Sequence, residues 1–398
     1  MTSGPLMNHL PLREDAPADA AEAQAAPRVD AAVLRLRLVH RAAAELKRGT
    51  PVLLEGAEKL VLLPAETAGA RGLREFAALA AGPAVLLLAP VRAAAVLQRP
   101  VAPSGKAGSG KVVALRIAAG LTDPDMLRGL ADPTVDQMLP DEPTQVDCPP
   151  GAAAALALAK LARLLPAVLA APARPDAWMR AEGLALLTVS EADVLAYPAA
   201  MAADLVRVAE AQVPLDGAPD ARVVAFRAAD SAIEHLAIVI GRPETADAPL
   251  ARIHSECFTG DLLGSLRCDC GSQLRGAIHR MAAEGGGVLL YLAQEGRGIG
   301  LVNKLRAYAM QDRGLDTLDA NRALGWDADE RNFLVAATMF EQLGVTRLRL
   351  LTNNPDKVAG LVACGVDVVS REPHAFAPNG VNDQYLATKA ERFGHLLG

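Results

Sequence analysis

The chain has 398 residues, of which 51% are hydrophobic and 22% charged, and its net charge is −6. This length exceeds what one hydrophobic core usually organises and predicts roughly two domains, while the composition excludes a largely disordered chain. The acidic balance does not favour binding to nucleic acid or to an anionic membrane, so we expect neither as a partner.

The chain shows no feature typical of export or membrane insertion. The first residues lack a basic segment followed by a continuous apolar core, and residues 1–29, rich in Ala, Pro, Asp and Glu, are predicted to form a flexible tail. The apolar stretch 151–173 contains Lys160, Arg163 and Pro166, which indicates a buried helix and not a membrane span. An odd number of cysteines predicts a cytoplasmic protein with free or metal-bound thiols: Cys148, Cys257, Cys268, Cys270 and Cys364.

Residues 30–212 are predicted to form an N-terminal α/β domain. Its expected elements are a helix at 31–47, strands in PVLLEG, KLVLLPAE and 84–89, and a helix at 152–165. GKAGSGKV, at 105–112, nearly satisfies the phosphate-binding pattern G-x-x-x-x-G-K-[ST]. Val112 replaces the required hydroxyl and a predicted strand follows, so we interpret the segment as a mobile Gly/Lys loop.

A second α/β domain is predicted for residues 213–398, after a boundary near 208–219 in which VPLDGAPDA supplies turn residues. We therefore expect two domains of the α/β (α+β) class, each a mixed sheet with helices. The predicted strands are 223–226, 233–240, 288–292 and 348–351, and the predicted helices are 273–283, 301–313, 329–343 and 355–363.

Three cysteines lie within fourteen residues of one another, at Cys257, Cys268 and Cys270. Thiolates are preferred zinc ligands, and three of them leave one tetrahedral position open for a reactive water. Two alternatives remain from the spacing alone: inert buried thiols, or a closed structural site that His254 completes.

Two segments have the pattern of an anion site at the start of a helix. QEGRGIG, at 294–300, follows a strand and precedes a helix, and TNNPDK, at 352–357, repeats this order with a lysine in the first turn. An ordinary tight turn is the alternative for each. Lys304 and Tyr308 share a face of the helix that follows the first segment.

Five ordered motifs resemble GTP cyclohydrolase II, the enzyme of the first committed step of riboflavin biosynthesis. They are RIHSECFTGDLLGSLRCDCGSQL, YLAQEGRGIGLVNKLRAYAMQDRGLDT, ANRALGWDADERNF, RLRLLTNNPDKVAGL and QYLATKAERFGHLL. The resemblance covers residues 213–398 and implies that family's fold there. It also implies hydrolysis of GTP that opens the imidazole ring and releases formate and pyrophosphate, giving 2,5-diamino-6-(5-phosphoribosylamino)pyrimidin-4-one.

The resemblance assigns roles to individual residues of this chain. Cys257, Cys268 and Cys270 match the ligands of one zinc ion per subunit, Asp329 the proton acceptor, Arg331 the proposed nucleophile on the α-phosphorus, and Tyr308 a tyrosine tied to formyl release. A guanidinium is a poor nucleophile, so Arg331 could instead stabilise charge while water attacks. The matched GTP contacts are Arg252, Ile253, His254, Ser255, Glu256, Gln273, Glu295, Gly296, Arg297, Thr317, Thr352 and Lys357.

The family also implies Mg²⁺ on the triphosphate and a homodimer. Two alternative functions remain: a related cyclohydrolase acting on another nucleotide such as UTP, and a nucleotide-binding sensor without chemistry. Ala293 departs from the family, because many members carry a basic residue there.

The first half faintly resembles 3,4-dihydroxy-2-butanone 4-phosphate synthase, a domain fused ahead of this hydrolase in many organisms. The family's opening strand leads into a dense acidic metal-binding loop, where this chain has LEGAEKL. Without clustered carboxylates to hold Mg²⁺, the first half is expected to be catalytically inactive and to act as a scaffold, dimer or regulatory domain.

Overall fold

The computed structural model describes residues 30–102, 111–118, 123–135, 143–229 and 231–396. The predicted tail, 1–29, and most of the predicted Gly/Lys loop lie outside these ranges. Within the ranges, every helix is too short or too polar to cross a bilayer.

The first half forms a seven-stranded mixed sheet with the order β5-β4-β3-β6-β2-β1-β7, antiparallel except between β1 and β7. Its strands are β1 (Val52–Glu55), β2 (Lys59–Pro64), β3 (Val85–Leu88), β4 (Val113–Arg116), β5 (Thr144–Val146), β6 (Ala167–Pro172) and β7 (Thr188–Ser190). Its helices are α1 (Ala31–Lys47), α2 (Ala70–Leu79), α3 (Pro90–Leu97), α4 (Pro124–Ala131), α5 (Ala152–Leu161), α6 (Ala177–Gly183) and α7 (Glu191–Ala203).

Both faces of this sheet are covered, which explains why its strands are continuously apolar. Along β2, Val61 and Leu63 belong to one core cluster while Leu60 and Leu62 belong to the other. Successive side chains of a strand point to opposite faces, so an uninterrupted apolar run requires packing on both sides.

The second half forms another seven-stranded mixed sheet, with the order β14-β13-β11-β12-β10-β9-β8. Its strands are β8 (Leu205–Gln212), β9 (Arg222–Ala228), β10 (Glu234–Gly241), β11 (Leu250–Ser255), β12 (Gly286–Leu292), β13 (Arg347–Leu351) and β14 (Asp367–Glu372). Its helices are α8 (Cys270–Ala283), α9 (Leu301–Gln311), α10 (Thr317–Ala323), α11 (Phe333–Gln342), α12 (Pro355–Ala363) and α13 (Asp383–Phe393). Strands β11, β12, β13 and β14 are parallel, so their carboxyl ends share one edge.

Strand β8 pairs with β9 and therefore belongs to the second sheet, although a division after residue 212 assigns it to the first half. A division that follows the sheets falls at Asp204, which caps α7. The two domains remain a proposal, with the second beginning at β8.

Two predicted helix boundaries were wrong by four residues. The helix predicted at 152–165 ends at Leu161, because Arg163 adopts a left-handed backbone with φ of 56°. The helix predicted from Asp329 begins at Phe333 instead, since the side chain of Asn332 caps it by accepting from the Leu334 N–H. Asp329 and Arg331 consequently lie in the loop before α11.

The two halves share a hydrophobic core. Ile299, Met310 and Trp326 of the second half pack in the same buried cluster as residues of β3, β4 and β6. Polar contacts add to this packing: the Arg306 guanidinium lies 2.9 Å from Glu66 and 2.8 Å from Asp132, and all three side chains are largely buried. The first half therefore supports helix α9, which carries part of the candidate site.

Candidate active site

The candidate site lies where the parallel strands β11, β12 and β13 end. Glu256 and Cys257 follow β11, the loop 294–300 follows β12, and the turn 352–357 follows β13. Ligands of α/β proteins commonly bind outside the carboxyl ends of parallel strands, because loops from neighbouring strands converge there. One cavity at this edge is lined by Arg252, His254, Ser255, Glu256, Cys257, Cys268, Cys270, Gln273, Glu295, Gly296, Arg297, Ile299, Lys304, Ala307, Tyr308, Gln311, Thr317, Asn321, Arg331, Lys357, Tyr385, Lys389 and His395.

Cys257, Cys268 and Cys270 converge at one wall of this cavity. Their sulfur atoms all lie within 4.8 Å of one another, and the Cys257 and Cys268 sulfurs are 3.8 Å apart. Two thiolates about 2.3 Å from a tetrahedral zinc ion would be separated by about 3.8 Å. The donor set and its spacing therefore fit zinc.

A glycine allows the backbone to approach this cluster closely. A Cβ atom at Gly260 would lie 2.6 Å from the Cys268 sulfur and 3.0 Å from the Cys257 sulfur. Any larger residue would displace the sulfurs, so Gly260 belongs to the construction of the site.

His254 does not complete the cysteine cluster. Its Nε2 lies 3.0 Å from the Asp261 carboxylate, which also accepts from the Tyr291 hydroxyl and from the Cys257 N–H. The His254 ring stacks on Tyr291, with a centroid separation of 5.6 Å. Since Asp261 holds the histidine in this orientation, the interpretation as a closed site with a fourth histidine ligand is not supported.

Lys304 and Glu295 connect the cysteine cluster to the Gly-rich loop. The Lys304 ammonium donates to the Cys257 sulfur at 2.9 Å and to Glu295 Oε1 at 2.8 Å, while Glu295 Oε2 accepts from the Phe258 N–H at 2.7 Å. Burial lowers the pKa of Lys304, but these two hydrogen bonds outweigh burial and raise it. Lys304 is therefore a fixed positive charge beside one thiol.

The Gly-rich loop has the strained backbone expected of a binding loop. Gly296 and Arg297 both adopt left-handed conformations, with φ of 64°, which costs about 1 kcal/mol or more for a residue with a side chain. The Arg297 guanidinium lies 3.8 Å from the ring centroid of Phe393 in α13. Stacking on this ring orients the guanidinium at the cavity wall.

Arg331 and Asp329 form a tight pair. The Arg331 Nε donates to Asp329 Oδ1 at 2.7 Å, and its Nη2 donates to Oδ2. Burial raises the pKa of Asp329, but the hydrogen bonds and charge of Arg331 outweigh burial and lower it. Asp329 does not line the described cavity itself, whereas Arg331 does.

Lys357 is a partly buried lysine whose ammonium donates to the Ile253 carbonyl at 2.9 Å. Burial and the nearby Arg331 and Arg252 charges lower its pKa well below the ordinary value for lysine. Ile253 packs in the core and Thr352 is buried with its hydroxyl accepting from the Asn354 N–H, so neither side chain lines the cavity.

Two polar atoms of cavity-lining residues have no hydrogen-bond partner within the part of the chain that the structure describes: Arg252 Nε and Ser255 Oγ. Buried polar groups are nearly always hydrogen-bonded, so these atoms mark positions where a ligand would bind. The other Arg252 nitrogens are occupied by the Leu351 carbonyl and by Gln273 Oε1. Thr317, at the start of α10, accepts from Gln311 at 3.1 Å.

Helix α13 and the residues just after it line the cavity, although no role was predicted for them from the sequence. Tyr385, Lys389 and His395 line the cavity, and the Lys389 ammonium lies 2.6 Å from the buried Asp269 carboxylate. Tyr385 and Lys389 are four residues apart on one helical face, a spacing that could have indicated a shared surface. Nothing in the spacing indicated that this face closes the cavity.

Acid is expected to destabilise the fold through buried neutral histidines. Burial lowers the pKa of His374 to about 4, and its Nε2 lies 2.7 Å from the Gln273 carbonyl. Because the unfolded chain binds a proton near the ordinary pKa of about 6.5, this stability is fully present above that pH and is lost as pH falls towards 4. Urea unfolding at pH 7 and 5 should show a loss of about 2 kcal/mol from His374 alone.

His374→Gln should remove that part of the pH dependence, because glutamine does not titrate. His279→Gln, at an exposed position of α8, is the matched control and should keep it. An unchanged difference between pH 7 and 5 in His374→Gln would contradict the assignment.

Comparison with known proteins gives three relevant similarities. The family model of GTP cyclohydrolase II matches residues 206–373. The GTP cyclohydrolase-2 of Azospirillum brasilense is 49% identical over 392 residues, which cover 96% of this chain and 99% of the relative. The GTP cyclohydrolase-2 of Actinobacillus succinogenes is 52% identical over 195 residues, 49% of this chain and 89% of the relative.

Among solved structures, a two-domain 3,4-dihydroxy-2-butanone 4-phosphate synthase from A. baumannii aligns with 84% of this chain and 99% of its own. The identity is 17% and the TM-score 0.33, a likeness too weak to carry an argument. The Azospirillum relative, in contrast, matches both halves almost end to end. On that identity and coverage, the chain belongs to the GTP cyclohydrolase II family.

Proposed function

We propose that the chain hydrolyses GTP, opening the imidazole ring with release of formate and pyrophosphate, as an enzyme of riboflavin biosynthesis. Family membership makes it a hydrolase. The observation that carries the finer proposal is that three convergent thiols and several buried cations line the same cavity. The thiols suit a metal for hydrolysis at C8, and the cations suit the triphosphate.

Cys257, Cys268 and Cys270 would hold the zinc ion, which supplies Lewis-acid activation for hydrolysis when bound. Lys304 donates to the Cys257 sulfur, so it would limit the negative charge of the thiolate set. Gly260 and Asp261 position the loop between the cysteines. Gly260 lets the backbone approach the sulfur atoms closely, and the Asp261 carboxylate accepts a hydrogen bond from the Cys257 N–H.

The phosphate end of GTP is assigned to Arg297, Arg331 and Lys357. Lys357 has no carboxylate within hydrogen-bonding distance among the described residues, so a phosphate oxygen would provide the missing counter-charge. Mg²⁺ bound to the triphosphate would neutralise the charge that develops as pyrophosphate leaves.

The guanine end is assigned to Glu256. Both oxygens of Glu295 already accept hydrogen bonds, from Lys304 and Gly296 and from Phe258. Burial and the neighbouring Glu295 raise the pKa of Glu256. A guanine edge that donates to Glu256 would provide hydrogen bonds to this carboxylate. Uracil offers a different pattern of hydrogen-bond donors and acceptors.

Formate and pyrophosphate release from GTP is the decisive assay, run with and without a zinc chelator and repeated with UTP. We expect release of both products from GTP, loss of formate on chelation, and little turnover of UTP. Tight GTP binding without either product would instead indicate a nucleotide-binding sensor, and equal turnover of UTP would indicate the related cyclohydrolase.

Tyr308→Phe is expected to slow turnover and to alter the yield of formate relative to pyrophosphate. The Tyr308 hydroxyl lies 3.3 Å from Thr259 Oγ1, between the cysteine loop and α9, and burial raises its pKa. A protonated hydroxyl there can donate to the formyl oxygen. Quantifying both products from one reaction checks this. An unchanged rate and ratio would count against the role.

A homodimer and a cytoplasmic location complete the proposal. Strand β8 leaves one edge of the second sheet unpaired among the described residues, and its Val206 and Val208 are 50% and 42% exposed. Pairing with a second copy would cover such an edge.

All five cysteines are free thiols, which suits a reducing compartment such as the cytoplasm. Reduced thiols remain available there as thiolate ligands of a metal. The first half is proposed to be an inactive relative of dihydroxybutanone phosphate synthase that supports the active loops.

A further inference from the structure

A second cavity, of about 490 Å³, lies between the two halves and is separate from the site described above. Helices α1, α5 and α7 of the first half form one wall, and β10, the loop after β12 and the residues before α11 form the other. Cavities of this volume are typical of small-molecule sites. Much of the first wall is apolar, with Val39, Leu161, Val194 and Met201.

Two cations in this cavity form no ion pair among the described residues. They are Lys47, exposed at the end of α1, and Arg163, after α5, whose charge acts both on Lys47 and on the Glu256 carboxylate of the active site. Burial and the Arg163 charge lower the pKa of Lys47. Lys160, in contrast, is neutralised by Glu330 and Asp327. The region around Lys47 and Arg163 therefore favours an anion.

Counting only the described residues, three polar atoms of the cavity-lining residues also lack hydrogen-bond partners: His235 Nε2, Gln294 Oε1 and Trp326 Nε1. The three residues are 2%, 8% and 3% exposed. His235 Nδ1 accepts from the Ala293 N–H at 3.1 Å, so its Nε2 carries the proton of the neutral ring. The wall thus offers two unused donors and one unused acceptor, next to the two unpaired cations.

The cavity wall is continuous with the catalytic segments. The Arg163 guanidinium donates to the Ala293 carbonyl at 2.6 Å, immediately before the Gly-rich loop. Glu330, which binds Lys160, lies between Asp329 and Arg331, and its N–H donates to the Arg297 carbonyl at 3.1 Å. Anything that moves Arg163 or Lys160 would therefore shift both the loop of Arg297 and that of Arg331.

We propose that this interdomain cavity is a regulatory site for a small organic phosphate, with the phosphate between Lys47 and Arg163 and an aromatic body along the apolar wall of α1, α5 and α7. Acceptor atoms on that body would pair with His235 and Trp326. Occupation changes the rate of the active site through Arg163 and the loop after Ala293. This effect on rate rests on the proposed function, whereas the binding does not.

Titration of 1-naphthyl phosphate into the full-length, zinc-loaded protein tests the site by calorimetry. A non-hydrolysable GTP analogue at saturating concentration keeps the probe out of the active site. We expect one binding site, weakened about tenfold or more by Lys47→Gln. Ala44→Phe, which fills the cavity from α1 and leaves the charges in place, should abolish binding. Lys59→Gln, at an exposed lysine paired with Glu55, is the control and should bind like the parent.

Steady-state turnover of GTP with the same probe tests the coupling. We expect kcat to change about twofold or more in the parent and in Lys59→Gln, and to stay constant in Lys47→Gln. Any of three results would overturn the proposed site: no binding, binding that survives both cavity variants, or displacement of the probe by the GTP analogue. An unchanged kcat in a parent that binds the probe would overturn the regulation. If the parent does not turn over GTP at all, the proposed function fails while the titration still decides the site.

Discussion

Cys268→Ser is expected to abolish formate release and to remove the bound metal. Cys268 is buried, with its sulfur 3.8 Å from that of Cys257, and a neutral hydroxyl replaces a thiolate poorly as a zinc ligand. With two thiolates left, the site would lose the ion on which hydrolysis depends, so kcat/KM for GTP should fall about 10³-fold or more. Formate assay and elemental analysis of the same purified sample check both consequences.

Cys364→Ser provides the matched control, because Cys364 caps α12 as a free, partly exposed thiol outside the cavity. That variant should retain its metal and its rate. Metal content and formate release at parental levels in Cys268→Ser would show that the cysteine cluster is not the metal centre. Urea unfolding of Cys268→Ser should match that of the chelator-treated parent, because an ion that binds only the folded state stabilises it and both samples lack that ion.

The helices and strands that local sequence signals predicted are all present, but about half of the elements of the fold were not predicted. The helix at 31–47 agrees with α1 and that at 355–363 with α12, because Asp30 and Asn354 supply N-caps. One of the wrong helix boundaries lies where the backbone conformation of a single residue ends the helix. Arg163 ends α5 through a left-handed conformation that its side-chain type does not indicate, since arginine is a good helix former.

The pairing of the strands could not be read from local pattern in the same way. Strand β8 follows α7 directly, with only Asp204 between them, so composition places it with the first half. Its hydrogen bonds to β9 place it with the second. Register and partner choice depend on distant residues, which periodicity within one segment does not encode.

The site shows the same division between local and distant information. The cysteine spacing predicted a convergent cluster, and the Gly-rich segment predicted a loop between a strand and a helix. Lys389, in contrast, pairs with Asp269 at a separation of 120 residues, and no sequence window contains both. The cavity of the second half is thus closed by a helix whose contribution only the tertiary structure reveals.

The first half contributes to the site through contacts that its own sequence does not predict. Lys160 binds Glu330, and Arg163 binds the carbonyl of Ala293, the position at which the expected basic residue is missing. The guanidinium of Arg163 therefore places a cation beside that position from another part of the chain. This contact supports a scaffold role for the first half that does not require chemistry there.

Arg331→Ala is expected to reduce pyrophosphate release about 10²-fold to 10³-fold, because it removes a buried positive charge from the phosphate end of the cavity. Arg331 donates through Nε and Nη2 to Asp329, so two of its nitrogens are already engaged as hydrogen-bond donors. A planar guanidinium delocalises its nitrogen lone pairs and is a poor nucleophile towards phosphorus. We therefore expect Arg331 to stabilise charge while water attacks, and Arg331→Lys should recover part of the lost rate.

A single turnover quenched in base, in which the P–N bond of a phosphoramidate survives, and analysed by intact mass spectrometry without acidification distinguishes the two roles. Charge stabilisation predicts no phosphoramidate in the parent protein, and Arg331→Lys should be measurably faster than Arg331→Ala. Arg347→Ala, at an exposed arginine of β13 paired with Asp247 and Asp367, is the control and should react like the parent. A trapped adduct on Arg331, together with equal inactivity of the lysine and alanine variants, would establish the covalent role instead, because lysine keeps the charge but not the guanidinium.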